Sequence, residues 1–248
     1  MRSKRIIIII SLALMLVINI LAEALPINGV TTREISDRFS VYFVPDTYVF
    51  SIWILIYLAL IAFCVYSMTP QGLADKKIDD ITWWFVVSCL FNASWLILWH
   101  YLLFTLTLIP IFGLFISLFM IYLKLQIGIE RRSFRQMLLI NVPYGIYLGW
   151  VTVVVVANVS QVLYVLGWTG ALINAQIWAV LMIWVSSLMG MSTIYTRREV
   201  AFPLVLVWAF IGIWVKSADA PLVANMALTM AIVLVIFTFG RFIFVRRE

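Results

Sequence analysis

The chain has 248 residues, of which 65% are hydrophobic and only 11% charged, with a mean hydropathy of +1.11. No water-soluble domain of this size carries such a composition, so an all-α polytopic transmembrane bundle in a lipid bilayer is predicted. The net charge of +6 comes from basic residues spread over many loops, which argues against a nucleic-acid-binding face and makes anionic lipid headgroups the natural counter-charge.

A bilayer core about 30 Å thick takes about 20 apolar residues per helix, and lipid leaves no partner for unpaired backbone groups. Barrel strands would alternate in polarity; a stretch such as ILIYLALIAFCVY does not. In chain order, the runs between charge clusters predict about eight helices: 6–22, 47–67, 82–101, 104–124, 137–157, 171–195, 200–215 and 222–244. The seventh is the shortest, but its WAFIGIW centre is wholly apolar.

The first run also fits a cleavable signal peptide, because MRSKR precedes it and Ala22-Glu23-Ala24 follows. From Ile6 to Ala22 it is nevertheless close to spanning length, and retention is the expectation. With the N-terminus inside, Arg2, Lys4, Arg5, Lys76, Lys77, Lys124, Arg131, Arg132, Arg135, Arg197, Arg198, Arg241, Arg246 and Arg247 fall on the inner side. Arg33, Arg38 and Lys216 fall outside, a split of 14 to 3 among 17 basic residues. Both termini are therefore predicted to be cytoplasmic.

The longest loop is the outer segment 23–46, which carries Glu23, Glu34, Asp37 and Asp46 beside several aromatics. Its length against otherwise short connections makes it a candidate lid, with a plain solvated connector as the alternative. Within the helices no Asp, Glu, Lys or Arg lies near a predicted centre, which speaks against a proton pump or ion-coupled transporter. Lys216 sits at an outer helix end and reads as a snorkelling interfacial lysine. Cys64 and Cys89 fall inside helices and read as small apolar groups. No metal motif, phosphate loop or hydrolytic triad is present, and His100 is the single histidine.

Aromatic and amide chemistry remains, at helical spacing. Trp84, Ser88, Asn92, Trp95 and Trp99 share one face of the third helix; Phe50, Trp53 and Tyr57 form a stripe on the second; Pro143, Tyr147, Trp150 and Val154 do so on the fifth. Facing one another, these stripes would line a flat, ring-accepting cavity. Interfacial belts account for Trp83, Trp84 and Tyr101 more simply. They account less well for Trp53, Asn92 and Trp95, which lie deeper, and a buried Asn must either bridge helices or meet a ligand.

The segment FVPDTYVFSIWILIY resembles the start of the second helix in the TspO/MBR family, the tryptophan-rich sensory or translocator proteins. Pro45, Tyr48, Val49, Phe50, Trp53 and Tyr57 fill its places, with Asp46 where a second proline is common. FNASW resembles the family's Asn-x-x-Trp and gives Asn92 and Trp95; LLINVPYGIYLGWV resembles its Pro-Tyr motif and gives Pro143 and Tyr144, with Tyr147 in the place of a frequent tryptophan. The resemblance covers about residues 1–160, a five-helix core, and leaves 161–248 as three further helices of unread role.

This resemblance implies a sensor or transporter for hydrophobic, often planar ligands such as porphyrins, haem-pathway tetrapyrroles and sterols, with no covalent cofactor and with porphyrin or haem as the candidate ligand. The implied site is Pro45, Tyr48, Phe50, Trp53, Tyr57, Asn92, Trp95, Trp99, Pro143, Tyr144 and Tyr147. A prokaryotic plasma membrane and a homodimer are the corresponding expectations of place and assembly. The family's sterol-recognition pattern is absent after the fifth helix, since Tyr164 has no Lys or Arg within five residues after it. A porphyrin-degrading enzyme using Trp53 and Trp95, and a scaffold whose aromatics only pack helices, are the alternatives from other classes.

Overall fold

The structure is a computed structural model that describes residues 2–25, 27–36, 38–168 and 173–245. Asp37, Arg246, Arg247, the first two residues of the predicted helix 171–195 and the side chains of Arg33 and Arg241 lie outside the described residues. The predicted spans appear as α1 (Arg2–Ala24), α2 (Thr47–Ser67), α3 (Thr82–His100), α4 (Phe104–Lys124), α5 (Phe134–Val165), α6 (Ala175–Arg197), α7 (Ala201–Lys216) and α8 (Pro221–Val245). Seven are long and apolar enough to cross a membrane. At 16 residues α7 is the exception; at 1.5 Å per residue it is about 24 Å long.

Two boundaries depart from the sequence reading for identifiable reasons. The fifth helix begins at Phe134 and continues to Val165, two turns beyond expectation. Its far end is polar yet buried: Asn158 accepts hydrogen bonds from Trp95 Nε1 and Thr107 Oγ1, and Ser160 accepts one from Trp178 Nε1. Polarity here marks contacts between helices. Earlier in α5, residues 137–141 take π-helical geometry just before Pro143, with the Val142 N–H donating to the Met137 carbonyl. Proline has no N–H to give to the carbonyl four residues back, and the wider turn takes up that mismatch.

Helices α1 to α5 form one group, in which α3 packs against α1 and α4, and α5 against α4 and α2. Helix α7 then packs on α5, and α6 and α8 pack with α7. The strongest polar link within the first group is a chain of side chains deep among the apolar helices. Tyr57 donates to Asn19 Oδ1 at 2.6 Å, Asn19 Nδ2 donates to Asn92 Oδ1 at 2.9 Å, and Asn92 Nδ2 donates to Tyr147 at 3.0 Å. Four helices are joined in this way, and both polar atoms of the Asn92 amide are used.

The basic end of the bundle is tied by charge. Arg5 is fully buried, pairs with Asp79 at 2.7 Å and donates to the carbonyls of Gly72 and Asp75. Arg132 bridges Asp75 at 3.2 Å and Glu130 at 2.6 Å. The basic residues that set the charge asymmetry therefore also fasten α1 to the loops around it.

A carboxylate organises the turn between α6 and α7. Glu199 is buried and accepts from the backbone N–H groups of Ala201 (2.7 Å) and Phe202 (2.9 Å), capping α7. Its room comes from Gly145 on α5, where an added Cβ would stand 2.6 Å from Glu199 Oε1. Burial pushes this carboxyl up from 4.5 to about 7, against the opposing pull of the backbone N–H groups.

Two outcomes follow from these contacts. The folded protein holds the Glu199 proton more tightly than the unfolded chain, so its contribution is fullest below about pH 4.5, falls as pH rises to about 7 and is flat above. The melting temperature in detergent should accordingly drop between those values relative to Glu199→Gln; a pH-independent difference between the two proteins would contradict the assignment. In the polar chain, Asn19→Leu strands two partners and Tyr147→Phe only one, at roughly 0.6 kcal/mol per membrane hydrogen bond. Asn19→Leu should therefore cost more, and combining it with Asn92→Leu should be less than additive. Simple additivity would mean that the amides act independently.

Candidate functional site

The aromatic stripes converge at the end of the bundle away from the basic loops, under the segment that joins α1 to α2. A cavity of about 590 Å³ lies between α1, α2 and α3, within the range typical of small-molecule sites. Asn19, Ile20, Glu23 and Ala24 of α1 form one wall, Phe50, Trp53, Ile54 and Tyr57 of α2 another, and Trp95 and Leu96 of α3 the third. A smaller chamber of about 30 Å³ adjoins it, sharing Thr32, Phe50, Trp53 and Trp95, and reaches toward α5 at Trp150, Val154 and Asn158.

The rings are held by one another. Trp53 stacks on Tyr57 (centroids 5.6 Å, planes 26° apart) and meets Trp150 edge-on at 6.1 Å and 90°. Trp95 stacks on Trp99 at 5.5 Å and 21°, and Phe50 meets Trp150 edge-on at 5.6 Å. Such offset and edge-to-face pairs fix ring orientation beyond simple burial. The wall thus offers pre-set aromatic faces beside an amide-and-phenol edge at Asn19 and Tyr57.

Of the residues singled out from sequence, Phe50, Trp53 and Trp95 line both chambers, Tyr57 the larger, and Pro45 and Trp99 the smaller. Asn92 and Tyr147 stand behind the wall, bonded to it through Asn19. Pro143, Tyr144 and Tyr48 line neither chamber. Tyr144 is buried edge-on against Phe63. Tyr48 turns outward and meets Trp208 of α7 at 5.3 Å, because residues 47–51 wind as a 3-10 helix before the α-helix begins. That tighter winding breaks the phase that α-helical spacing assumes.

Sequence reasoning missed Asn19 and Glu23. They lie four residues apart on one face of α1, a helix read only for its length. Glu23 is the one carboxylate lining either chamber among the described residues. Asn19 carried the same signal as Asn92, an amide within an apolar run, and the two prove to be partners.

The covering segment is folded, with a short helix at Thr32–Ser36 and with Ile35, Phe39, Phe43 and Val44 buried. It is latched to the end of α3: Thr32 Oγ1 lies 3.1 Å from His100 Nε2, Asn28 Nδ2 donates to the His100 carbonyl, and Trp99 Nε1 reaches the Thr32 carbonyl at 3.4 Å. At its other end the Asp46 N–H donates to the Gly212 carbonyl of α7 at 3.1 Å, and Trp208 Nε1 donates to the Val49 carbonyl. Gly212 is needed there, since a Cβ would run into the Val49 side chain. A separate cleft of about 530 Å³, bordered by Phe115, Tyr122, Leu188 and Arg197, contains none of the predicted site residues.

No curated protein and no solved structure matches the chain. The family described as TSPO-like protein matches it over residues 5–240, so the match runs through the last three helices as well as the five that carry the motifs. With seven long apolar helices and a match over nearly its whole length, the chain is an integral, multi-pass membrane protein and belongs to the TSPO-like family.

Proposed function

We propose that the protein binds a hydrophobic, planar, tetrapyrrole-like molecule in the cavity between α1, α2 and α3, as a sensor or transporter. The observation that carries this reading is the cavity wall itself: Trp53 and Trp95 border about 590 Å³ of space beside the polar edge of Asn19, Tyr57 and Glu23. A flat ring system stacks on such faces, and an amide or phenol orients its polar edge. Porphyrin or haem is the candidate ligand, held without a covalent bond.

In this reading Phe50, Trp53, Tyr57, Trp95 and Trp99 meet the ligand or the rings that do, while Asn92 and Tyr147 hold the wall in place. Residues 1–160 carry the site and 161–248 brace it through α7. The 14-to-3 charge split supports a reading in which both termini are cytoplasmic and the covering segment lies outside, as a lid over the cavity mouth. The plasma membrane of a prokaryote and a homodimeric assembly complete the proposal.

Titration of the detergent-purified protein with protoporphyrin, haem and a sterol tests it. Trp53→Leu and Trp95→Leu keep bulk hydrophobicity and remove stacking, worth about 1–3 kcal/mol per ring in other systems, so each should weaken porphyrin binding roughly ten-fold. Tyr48→Leu, on the far side of α2, should leave affinity unchanged. Equal affinities in all four proteins would take Trp53 and Trp95 out of the site.

A further inference from the structure

The smaller chamber contains a polar arrangement that the aromatic stripes do not account for. Trp150 and Asn158 both line it, and both are 1% exposed. The orientation of the Asn158 amide is settled by its neighbours, because an indole N–H can only donate. Trp95 Nε1 points at one atom of that amide from 3.0 Å, so that atom is the oxygen, and Thr107 Oγ1, whose single proton also faces the Phe104 carbonyl, lies 2.9 Å from the same oxygen. The Asn158 NH₂ group is thereby turned away from both and has no acceptor among the described residues. The indole N–H of Trp150 has none either.

Two residues that line one chamber thus each hold a buried donor without a partner, beside the amide of Gln161. Buried polar groups are ordinarily satisfied, and donors without partners are costly, so the chamber is suited to an atom that accepts. Its volume of about 30 Å³ admits the tip of a functional group and not a ring. Among the described residues no Lys, Arg or His lines it, so a carboxylate there would have no counter-charge from them, at high cost. A neutral carbonyl oxygen meets every one of these conditions.

Resting on the reading that the larger cavity holds a planar ring system, we propose that Trp150 and Asn158 form a carbonyl-recognition subsite. A ring ligand in the larger cavity would place an uncharged C=O into the smaller chamber, where it accepts from the Trp150 indole and the Asn158 amide. The ligand class is thereby narrowed to planar molecules bearing a ketone, amide or ester carbonyl at one edge.

Fluorenone and fluorene share a flat tricyclic frame and differ in one carbonyl, which makes them the probes. Tryptophan quenching on the intact detergent-purified protein should show fluorenone bound about ten-fold more tightly, the combined net value of the two hydrogen bonds. The bound ketone's infrared C=O stretch should lie below its frequency in an alkane. Trp150→Phe removes one donor; Asn158→Asp, measured at about pH 8, keeps the oxygen facing Trp95 and Thr107 while replacing the NH₂. Each should cut the fluorenone-to-fluorene affinity ratio by about half of its logarithm and move the stretch back up. The ratio within each variant is the readout, since a general loss of ring binding lowers both affinities and leaves it unchanged. If either variant fails to fold, the wild-type stretch and affinity ratio still decide. Equal binding of the two probes with an unshifted stretch overturns the subsite and leaves the ring-binding reading standing. If neither probe nor protoporphyrin binds, that reading fails and the subsite fails with it.

Discussion

A carboxamide buried among apolar helices has no water to turn to, and in this protein that constraint fixes how the helices around the cavity pack. Asn19 and Asn92 satisfy each other, and the remaining valences of the pair go to Tyr57 and Tyr147. Because apolar helices gain little from exchanging lipid for one another, a few such bonds and close van der Waals fit decide their register. The cavity follows from this register: with α1 held to α3 by its amide and to α2 by the Tyr57 hydroxyl, the indoles of Trp53 and Trp95 border the space between the three helices.

The helices beyond residue 160 share in the same construction. Helix α7 is too short to be read as a span by length alone, yet it carries Gly212 and Trp208, which receive the backbone at the start of α2. Its own start is capped by Glu199 in a recess that Gly145 leaves on α5. The covering segment is therefore anchored at both ends, to His100 on α3 and to α7, and its position over the cavity depends on helices from both parts of the chain. A family match from residue 5 to residue 240 accords with such interdependence.

Much of the architecture was legible in the sequence because apolar run length responds directly to membrane thickness, and all eight predicted helices are present. Asn92, Trp53 and Trp95 stood out because a mid-membrane amide or indole is costly without a reason to be there. What escaped depended on tertiary partners. Asn19 sits in an isoleucine-rich run that reads as a span or a signal peptide whether or not it carries an amide. Asn158 and Ser160 looked like the end of a helix because their partners, Trp95 and Trp178, come from other helices. Tyr48 was assigned to the site by the family resemblance alone, and with residues 47–51 wound as a 3-10 turn it faces Trp208 of α7 instead. The orphaned donors of the inner chamber depend on which way one amide faces, a fact that no spacing records.

The claim on which the account rests is that a planar ligand lies against Trp53 and Trp95 and not elsewhere among the eleven tryptophans. Indole ¹⁵N–¹H spectra of the detergent-solubilised protein, assigned by single Trp→Phe replacements and followed through a protoporphyrin titration, measure this directly. The account predicts saturable ring-current shifts at Trp53, Trp95 and Trp150, with Trp83, Trp184 and Trp214, which are exposed on the outer surface, unchanged. Shifts confined to those exposed indoles, or spread evenly over all of them, would place the ligand on the lipid-facing surface and contradict it.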